Sequence, residues 1–291
     1  MKFLIVTADD FGLHPAVNRA VEQAAGEGVL SAASLMVGAP AAPDAVRRAR
    51  ELPGLSVGLH IVLADGWSVL PQRSIPALVD GQGRFGNNMV RDGVRFFALP
   101  GVRRQLEAEI RAQFRAFAES GLPLDHVNAH KHFHLHPTLL EMLLRIGSEF
   151  GVPAVRLPRE PAWVARRSGA IAGPAVAGLL CPWLAIMRRR LRAARIAHND
   201  YVFGISDSGS MDEARLLEIL AKLPDGVTEI YLHPAVQSGA AIAPSMAGYR
   251  HADELAALLS PRVRAAVSAC GAATGGFRQS SAARPTERCA A

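Results

Sequence analysis

Short apolar segments that alternate with longer amphipathic ones are the feature that most restricts how this chain can fold. The segments that we expect to be strands are residues 3–8, 55–59, 124–130, 153–157 and 227–232. Most of them are rich in Val, Ile and Leu without polar alternation, which is typical of parallel strands covered by helices on both faces. The pattern therefore predicts an α/β fold with a parallel sheet, either open or closed as a barrel.

The segments between these runs have the composition of helices. The clearest is 101–121, in which apolar residues recur every three or four positions until Gly121. The other segments that we expect to be helical are 14–28, 42–51, 137–151 and 212–226. Each expected helix connects two expected strands or lies beside one, as repeated strand–helix units require.

The chain has 291 residues, a net charge of +6 and a sequence pI near 9.8. We expect one barrel domain over residues 1–272, with an insert at about 161–195 that carries much of the positive charge. Residues 273–291 are small, polar and aperiodic, which predicts a disordered tail. Aromatic residues are 6% of the chain, and no basic stripe is interleaved with them, so a nucleic-acid partner is disfavoured.

Within the insert, residues 169–187 contain no charged side chain and are flanked by arginines. This composition favours peripheral membrane contact through residues 169–195 over a spanning helix. A helical hairpin packed on the barrel and a homodimer contact are the alternatives. The three cysteines form no CxxC pair, and the N-terminal apolar run is only six residues long. We therefore expect cytoplasmic residence, with peripheral association at the inner membrane as an option.

Ionisable side chains follow the expected strands at the point where each ends. They are Asp9, Asp10, His60, His130, Arg156 and His233. The carboxyl ends of parallel strands meet at one edge of a sheet, where the reactive side chains of α/β proteins gather. We therefore expect one shared site rather than separate capping residues.

Five of the ten histidines lie in the segment 126–137. They occupy alternate positions, which would put all of them on one face of a strand. His130 and His136 would then lie roughly 20 Å apart, so that one ion could contact at most two neighbours of the row. Pro137 would end the strand, which places His134 and His136 on a loop over the site.

Asp10 and His60 are the natural further ligands for one divalent cation. Two imidazoles and one carboxylate leave positions open for water and substrate, as in hydrolytic metal sites, and they suit Zn²⁺. Asp9 would accept a proton from the metal-bound water, because neighbouring side chains of an extended segment point apart. His233 would donate a proton to the leaving group.

Four motifs make the chain resemble the YdjC-like carbohydrate deacetylases, which include chitooligosaccharide deacetylase. They are "TADDFG" (7–12), "VGLH" (57–60), "NAHKHFHLHP" (128–137) and "YLHPA" (231–235). The resemblance implies a distorted (β/α) barrel with a metal site at the carboxyl ends of the strands. It also implies hydrolysis of an N-acetyl group from an amino sugar, with a single Mg²⁺ or Zn²⁺ ion as cofactor.

Carried over by position, the resemblance assigns the metal ligands as Asp10, His60 and His130. Asp9 matches the family's base and His233 its late histidine, and the catalytic residues are expected to be these two. His132 matches a further histidine whose role is not assigned. The chain departs from the family at Asn128, where an Asp is frequent.

The insert and the phrase "VRLPREP" (155–161) resemble the hopanoid-biosynthesis-associated HpnK branch. That resemblance implies a glycolipid substrate, an N-acetylglucosaminyl hopanoid. A soluble carbohydrate deacetylase, a metal-dependent phosphoesterase and a non-enzymatic metal- or anion-binding module are the alternatives. The roles of His134 and His136 stay open, and Arg156 could orient Asp9, bind substrate or form a structural salt bridge.

Overall fold

A computed structural model describes residues 1–165, 174–238 and 241–283. Its strands are β1 (Lys2–Phe11), β2 (Ala32–Leu35), β3 (Ser56–Ile61), β4 (Val127–Ala129), β5 (Tyr201–Phe203), β6 (Gly226–Leu232) and β7 (Ala273–Thr274). All of their pairings are parallel, and the strand order is β4-β3-β2-β1-β6-β5, with β7 added beside β1. The predicted parallel sheet is therefore confirmed, and β2, β5 and β7 are strands that the sequence analysis missed.

The sheet curls into a distorted barrel whose closure is irregular. Val155 forms a single bridge to Val127 of β4, and Ala154 forms one to Ala197. The expected strand at 153–157 therefore contributes only isolated bridges where a regular barrel has a continuous ladder. The predicted distorted (β/α) barrel is confirmed.

Helices cover the outside of the sheet. They are α1 (Pro15–Glu27), α2 (Ala42–Arg50), α3 (Met89–Ala98), α4 (Pro100–Glu119), α5 (Pro137–Glu149), α6 (Ala162–Ala165), α7 (Pro174–Ala193), α8 (Glu213–Ala221), α9 (His251–Leu259), α10 (Pro261–Ala269) and α11 (Phe277–Ala283). The five predicted helices correspond to α1, α2, α4, α5 and α8. Local residues explain where several helices begin. The Asp212 side chain accepts a hydrogen bond from the Arg215 N–H at the start of α8, and prolines occupy the first turn of α1, α2, α4, α5 and α10.

The strands have different side chains on their two faces. Along β1, Leu4, Val6 and Ala8 belong to the main apolar core, which the helices cover. The alternate residues face the barrel interior: Phe3 and Ile5 pack in a small apolar cluster at its amino end. Thr7 and Asp9 come next and form buried hydrogen bonds with other strands. The barrel interior is thus apolar at one end and polar toward the carboxyl edge.

The chain beyond residue 272 differs from the predicted disordered tail. β7 pairs with the start of β1, and α11 places Phe277, which is fully buried, in the apolar cluster at the amino end of the barrel. The backbone N–H groups of Phe277 and Arg278 donate to Asp125. One large apolar side chain anchors an otherwise polar segment, so the prediction is wrong for residues 273–283. Residues 284–291 lie outside the described part.

The insert is helical where it is described. α7 contains Pro182 and is followed by a turn that leads to Tyr201 at the start of β5. The expected membrane-contacting stretch at 169–195 lies in part on residues 166–173, which are outside the described residues. Among the helices that the structure describes, none is both long and apolar enough to cross a bilayer.

Phe277→Ala should lower the free energy of unfolding by about 3–5 kcal/mol, the usual loss when a buried phenyl ring is removed. Chemical denaturation monitored by circular dichroism measures this change. Phe97→Ala is the matched control, because Phe97 is 67% exposed, and should change the free energy by no more than about 0.5 kcal/mol. Equal, small effects of both changes would mean that the C-terminal segment does not pack in solution.

Candidate active site

The two consecutive aspartates lie at the end of β1, where the backbone departs from a regular strand. Asp10 has a φ of 62°, and the pairing of β1 with β2 shifts register between Ala8 and Phe11. Aspartate is one of the few residues other than glycine that tolerate this left-handed conformation. Asp9 Oδ1 lies 4.0 Å from Nδ1 of His60, whereas Asp10 Oδ1 lies 3.3 Å from its Nε2. The two carboxylates therefore face different nitrogens of one imidazole.

Asp10, His60 and His130 converge at the carboxyl edge of the sheet. Asp10 Oδ1 lies 3.0 Å from His130 Nδ1, and His60 Nε2 lies 3.4 Å from the same nitrogen. All three residues are buried, and their ligand atoms lie within 4.8 Å of one another. The structure thus brings together the three residues that the sequence analysis named as ligands.

The chemistry of this triad fits a cation. Within the described chain, neither carboxylate oxygen of Asp10 has a hydrogen-bond partner. Burial raises the pKa of Asp10, but His130 and His60 outweigh burial and hold the pKa well below its usual value. The carboxylate is therefore ionised, and a buried charge is costly inside a protein unless counter-charges or a metal compensate it. A divalent cation between the two imidazole nitrogens and this carboxylate would offset that cost.

Asn128 determines which nitrogen of His60 is available to a cation. The Asn128 side-chain N–H group donates to Asp9 Oδ1 (3.2 Å) and Ser34 Oγ (2.9 Å), so its oxygen faces His60 Nδ1 at 2.6 Å. That oxygen only accepts, so Nδ1 carries the hydrogen and the lone pair of the neutral ring is on Nε2, facing Asp10. An aspartate at position 128 would instead place a second carboxylate beside Asp9.

Asp9 is held by a buried arginine. Arg156 is fully buried and donates to both oxygens of Asp9, at 2.6 and 2.9 Å. It also donates twice to Glu229, at 2.8 and 2.7 Å, and stacks over the Tyr231 ring at 4.6 Å. Burial raises the pKa of Asp9, but Arg156 outweighs burial and leaves the pKa far below its usual value. Of the open roles for Arg156, the contacts support orientation of Asp9.

The histidine row does not continue as a strand. β4 ends at Ala129, and residues 130–135 form a 3-10 helix in which Lys131 and His132 have φ values of 54°. The predicted alternation is therefore wrong beyond His130. The other histidines of the row have separate partners: His126 contacts Ser34 and Asp125, His132 contacts the Tyr231 hydroxyl, His134 contacts the Arg156 carbonyl, and His136 packs against Phe96 and Phe133. His134 is buried beneath the site, which differs from the expected position on an overlying loop.

His233 follows directly after β6, as expected from the motif at the end of that strand. Its Nε2 is 4.0 Å from Asp10 Oδ2. Its backbone N–H donates to the buried Glu254, and its carbonyl accepts from His251 Nδ1 at 2.6 Å. Burial is the main cause that lowers the pKa of His233 below its usual value.

A cavity of about 280 Å³ opens beside the triad. Its wall includes Asp9, His60, His130, Lys131, His132, Ile205, Ser208, Tyr231, His233, Ser245, Met246 and Tyr249. Sequence reasoning missed Tyr231, Ser208, Ser245 and Tyr249. Tyr231 alone had a signal, because it lies two residues before His233 on the same strand face. Ser208, Ser245 and Tyr249 come from loops whose spacing carries no such signal.

The fold and the site define an α/β barrel protein with a candidate divalent-metal centre at the carboxyl ends of its strands. The model of the family described as YdjC-like protein matches residues 3–269. The chain therefore belongs to the YdjC-like family.

Known proteins resemble the chain over most of its length. A carbohydrate deacetylase of Geobacillus stearothermophilus is 29% identical over 93% of this chain and 94% of the relative. A chitooligosaccharide deacetylase of Serratia marcescens is 30% identical over 95% and 98%. The match to a carbohydrate deacetylase of Brevibacillus brevis is 40% identical but spans only 53% of this chain and 59% of the relative.

One solved structure resembles the chain closely in fold. A candidate cellobiose-phosphate cleavage protein of Enterococcus faecalis superposes with a TM-score of 0.73 and 23% identity, over 96% of this chain and 98% of that one. At this identity the likeness supports the fold alone.

Stability should depend on pH through Glu254. Burial raises the pKa of Glu254 from its usual 4.5 to about 7, so the native state keeps this proton to a higher pH than the unfolded chain does. The contribution of Glu254 to stability is fully present below about pH 4.5 and is lost as the pH rises through about 7. Relative to Glu254→Gln, the wild-type free energy of unfolding should fall by up to about 3 kcal/mol across that interval.

Chemical denaturation of both proteins at several pH values measures this difference. Glu119→Gln is the control, since Glu119 is exposed and should give a difference from the wild type that hardly changes with pH. A constant difference between the wild type and Glu254→Gln would contradict the prediction.

Proposed function

We propose that the protein hydrolyses the N-acetyl group of an amino sugar, using one divalent cation bound by Asp10, His60 and His130. The observation that carries this proposal is the buried, ionised Asp10 carboxylate, which has no hydrogen-bond partner within the described part of the chain and faces two imidazole nitrogens. The activity is suggested by the carbohydrate and chitooligosaccharide deacetylases that the chain resembles. The ligand set suits Zn²⁺, and Mg²⁺ is the alternative.

When bound, the cation would supply a Lewis acid for the acetyl carbonyl and a water of lowered pKa. The residues of the chain would supply the proton transfers. Asp9 is the proposed base: it borders the cavity, and its contacts with Arg156 and Asn128 keep it ionised and in place. Because the pKa of Asp9 is low, it can accept a proton only from a water that is itself unusually acidic.

His233 is the proposed acid for the departing amine. It borders the same cavity, and burial lowers its pKa, so its ring is neutral before the reaction. The proton that it delivers must therefore reach it during turnover, and the attacking water is the available source. Asp9 would accept that proton and pass it to His233, which would deliver it to the amine nitrogen as the C–N bond breaks. Both residues would then be back in their starting forms.

Asp10→Ala and His60→Ala should each remove the bound metal and lower acetate release more than about a hundredfold. This loss exceeds the one typical of mutating a residue that only hydrogen-bonds to a metal ligand. Asp9→Asn should retain the metal and lower turnover about 10²–10⁴-fold, as expected for loss of a general base. Metal analysis of the purified proteins and an acetate assay with N-acetylglucosamine conjugates provide the two measurements.

His136→Gln is the matched control, because His136 packs against Phe96 and Phe133 away from the triad; it should keep both properties. Release of phosphate from phosphoesters, without acetate release, would favour the phosphoesterase alternative. Tight metal binding with neither activity would favour the binding module. Full deacetylation by a metal-stripped sample would overturn the mechanism.

We further propose that the amino sugar is presented on a glycolipid, the hopanoid class implied by the HpnK resemblance, at a membrane surface. Large apolar side chains are exposed along one face of α7, at Leu179 and Ile186, and along one face of α3, at Val90, Val94 and Phe97. Arginines 188, 189, 190 and 192 continue α7. An apolar helix face followed by arginines suits the surface of an anionic bilayer.

The two helices contact the same 3-10 helix, residues 130–135, next to the proposed site. The Trp183 indole of α7 donates to the Leu135 carbonyl at 2.7 Å, and Phe96 of α3 lies against Phe133, with ring centroids 5.4 Å apart. Both helices therefore stand beside the segment that begins with the ligand His130. A lipid-borne sugar bound at the cavity would keep its lipid near these helices.

Wild-type protein should bind vesicles of phosphatidylcholine and phosphatidylglycerol but bind pure phosphatidylcholine weakly. The double substitution Leu179→Ser with Ile186→Ser should reduce binding at least about fivefold, because apolar burial at the interface is lost. Cosedimentation measures both effects, and Arg262→Gln, an exposed substitution in α10, is the control for a change outside the residues of the insert.

Analytical ultracentrifugation separates the homodimer alternative from membrane contact. A wild-type dimer that the same double substitution converts to a monomer, without vesicle binding, would replace this proposal. A cytoplasmic location at the inner membrane accords with the proposal and is tested by fractionation of cells.

A further inference from the structure

Buried polar side chains form a continuous hydrogen-bonded chain that leads from the C-terminal segment to His60. Asp125 contacts His126 Nδ1 at 2.9 Å, and His126 Nε2 lies 3.1 Å from Ser34 Oγ. Ser34 Oγ in turn accepts from the Asn128 side chain at 2.9 Å, and Asn128 contacts His60 at 2.6 Å. All five residues are buried, so water is a poor substitute for any of these contacts.

Asp125 determines which group donates and which accepts along this chain of hydrogen bonds. Its two oxygens accept the backbone N–H groups of Phe277 and Arg278, each at 3.0 Å. Burial raises the pKa of Asp125, but His126 and these N–H groups outweigh burial and lower it. An ionised carboxylate only accepts, so His126 Nδ1 must donate, and the Nε2 of a neutral His126 must accept from the Ser34 hydroxyl.

The hydrogen-bond directions continue from Ser34 to His60. With its hydrogen directed at His126, Ser34 Oγ has its lone pairs left for the Asn128 N–H group. The Asn128 amide then has two acceptors on its nitrogen side, Ser34 and Asp9, which prevents it from turning over. Every donor and acceptor from Asp125 to the Nδ1–H of His60 is thereby assigned.

Packing leaves little room for another arrangement. A Cβ atom at Gly58 would lie 2.5 Å from the His126 ring, so the glycine of "VGLH" makes space for this histidine. The opposite contact is Phe277, whose ring stacks on His126 with centroids 4.6 Å apart. His126 is therefore held between β3 and the C-terminal segment in one orientation.

We propose that Asp125 and His126 are positioning residues that act through Ser34 and Asn128 to hold His60 in the tautomer that binds a cation. The inference rests on the proposed metal centre. It gives His126, which lies outside the metal triad, a function beneath the ligands. It also makes the C-terminal segment, through its N–H groups on Asp125, part of the support of the metal centre.

The test is the tautomer of His60 in the metal-free full-length protein. Nitrogen-15 NMR of the imidazoles at alkaline pH, where the rings are neutral, reports which nitrogen carries the hydrogen, and the His60 signal is assigned by its loss in His60→Gln. Wild type should show hydrogen on Nδ1. Ser34→Ala and His126→Phe should each give a mixture of tautomers and bind Zn²⁺ about tenfold to a hundredfold more weakly by calorimetry, the range for changes around a metal's ligands.

Thr228→Val is the matched control, because it removes a buried hydroxyl that has no hydrogen-bond partner among the described residues. It should leave the tautomer and the zinc affinity unchanged. His126→Phe retains the stacking ring, and Ser34→Ala changes a smaller group, so at least one folded variant is expected. Folded variants with the wild-type tautomer and zinc affinity would overturn the inference. Absence of zinc binding by the wild type would instead count against the proposed function, while the tautomer measurement would still decide the inference.

Discussion

The buried guanidinium of Arg156 is the interaction on which the site depends most. A charge placed inside a barrel is tolerated only when its hydrogen bonds and its charge are both satisfied. Asp9 and Glu229 do this from two neighbouring strands, β1 and β6, with four N–H···O contacts between 2.6 and 2.9 Å. Removing one partner would leave an unpaired buried charge, which lowers the free energy of unfolding by about 3–5 kcal/mol in comparable proteins. The cluster therefore ties β1, β6 and the irregular segment 153–157 together at the level where the sheet is least regular.

Side chains alternate between the two faces of each strand, and this alternation places the buried polar residues beside the triad. One face of each strand packs against helices, and the other faces the barrel interior, where Thr7, Ser34, His60, Asn128 and Glu229 meet. The amino end of the interior is closed by Phe277 and its apolar neighbours. Polar side chains are consequently concentrated toward the carboxyl edge, where the strands diverge and the cavity opens. Asp10 leaves the alternation through its left-handed backbone, which turns its carboxylate toward His60 and His130.

Sequence reasoning predicted the parallel sheet and five helices from local patterns, and the three residues of the triad from the strand ends together with the family resemblance. Apolar runs mark buried strands, and residues that follow them share an edge in any parallel sheet. It failed where a short segment gains its structure from distant contacts. β2 has only the four residues Ala32–Leu35, and β7 and α11 depend on Phe277 entering a cluster built from five other strands and loops. The prediction for the histidine row failed because Lys131 and His132 both have a left-handed backbone, and their residue types do not indicate that conformation.

The amino-acid sequence by itself determined which chemical groups the site contains and, through strand periodicity, which of them could share an edge. The tertiary structure alone decided their roles. It placed Arg156 against Asp9, Asn128 against His60, and His126 beneath Ser34, contacts that join residues far apart in the chain. The physical reason is that a donor or acceptor in a buried site takes its direction and its charge from its neighbours, and those neighbours are chosen by the packing of strands.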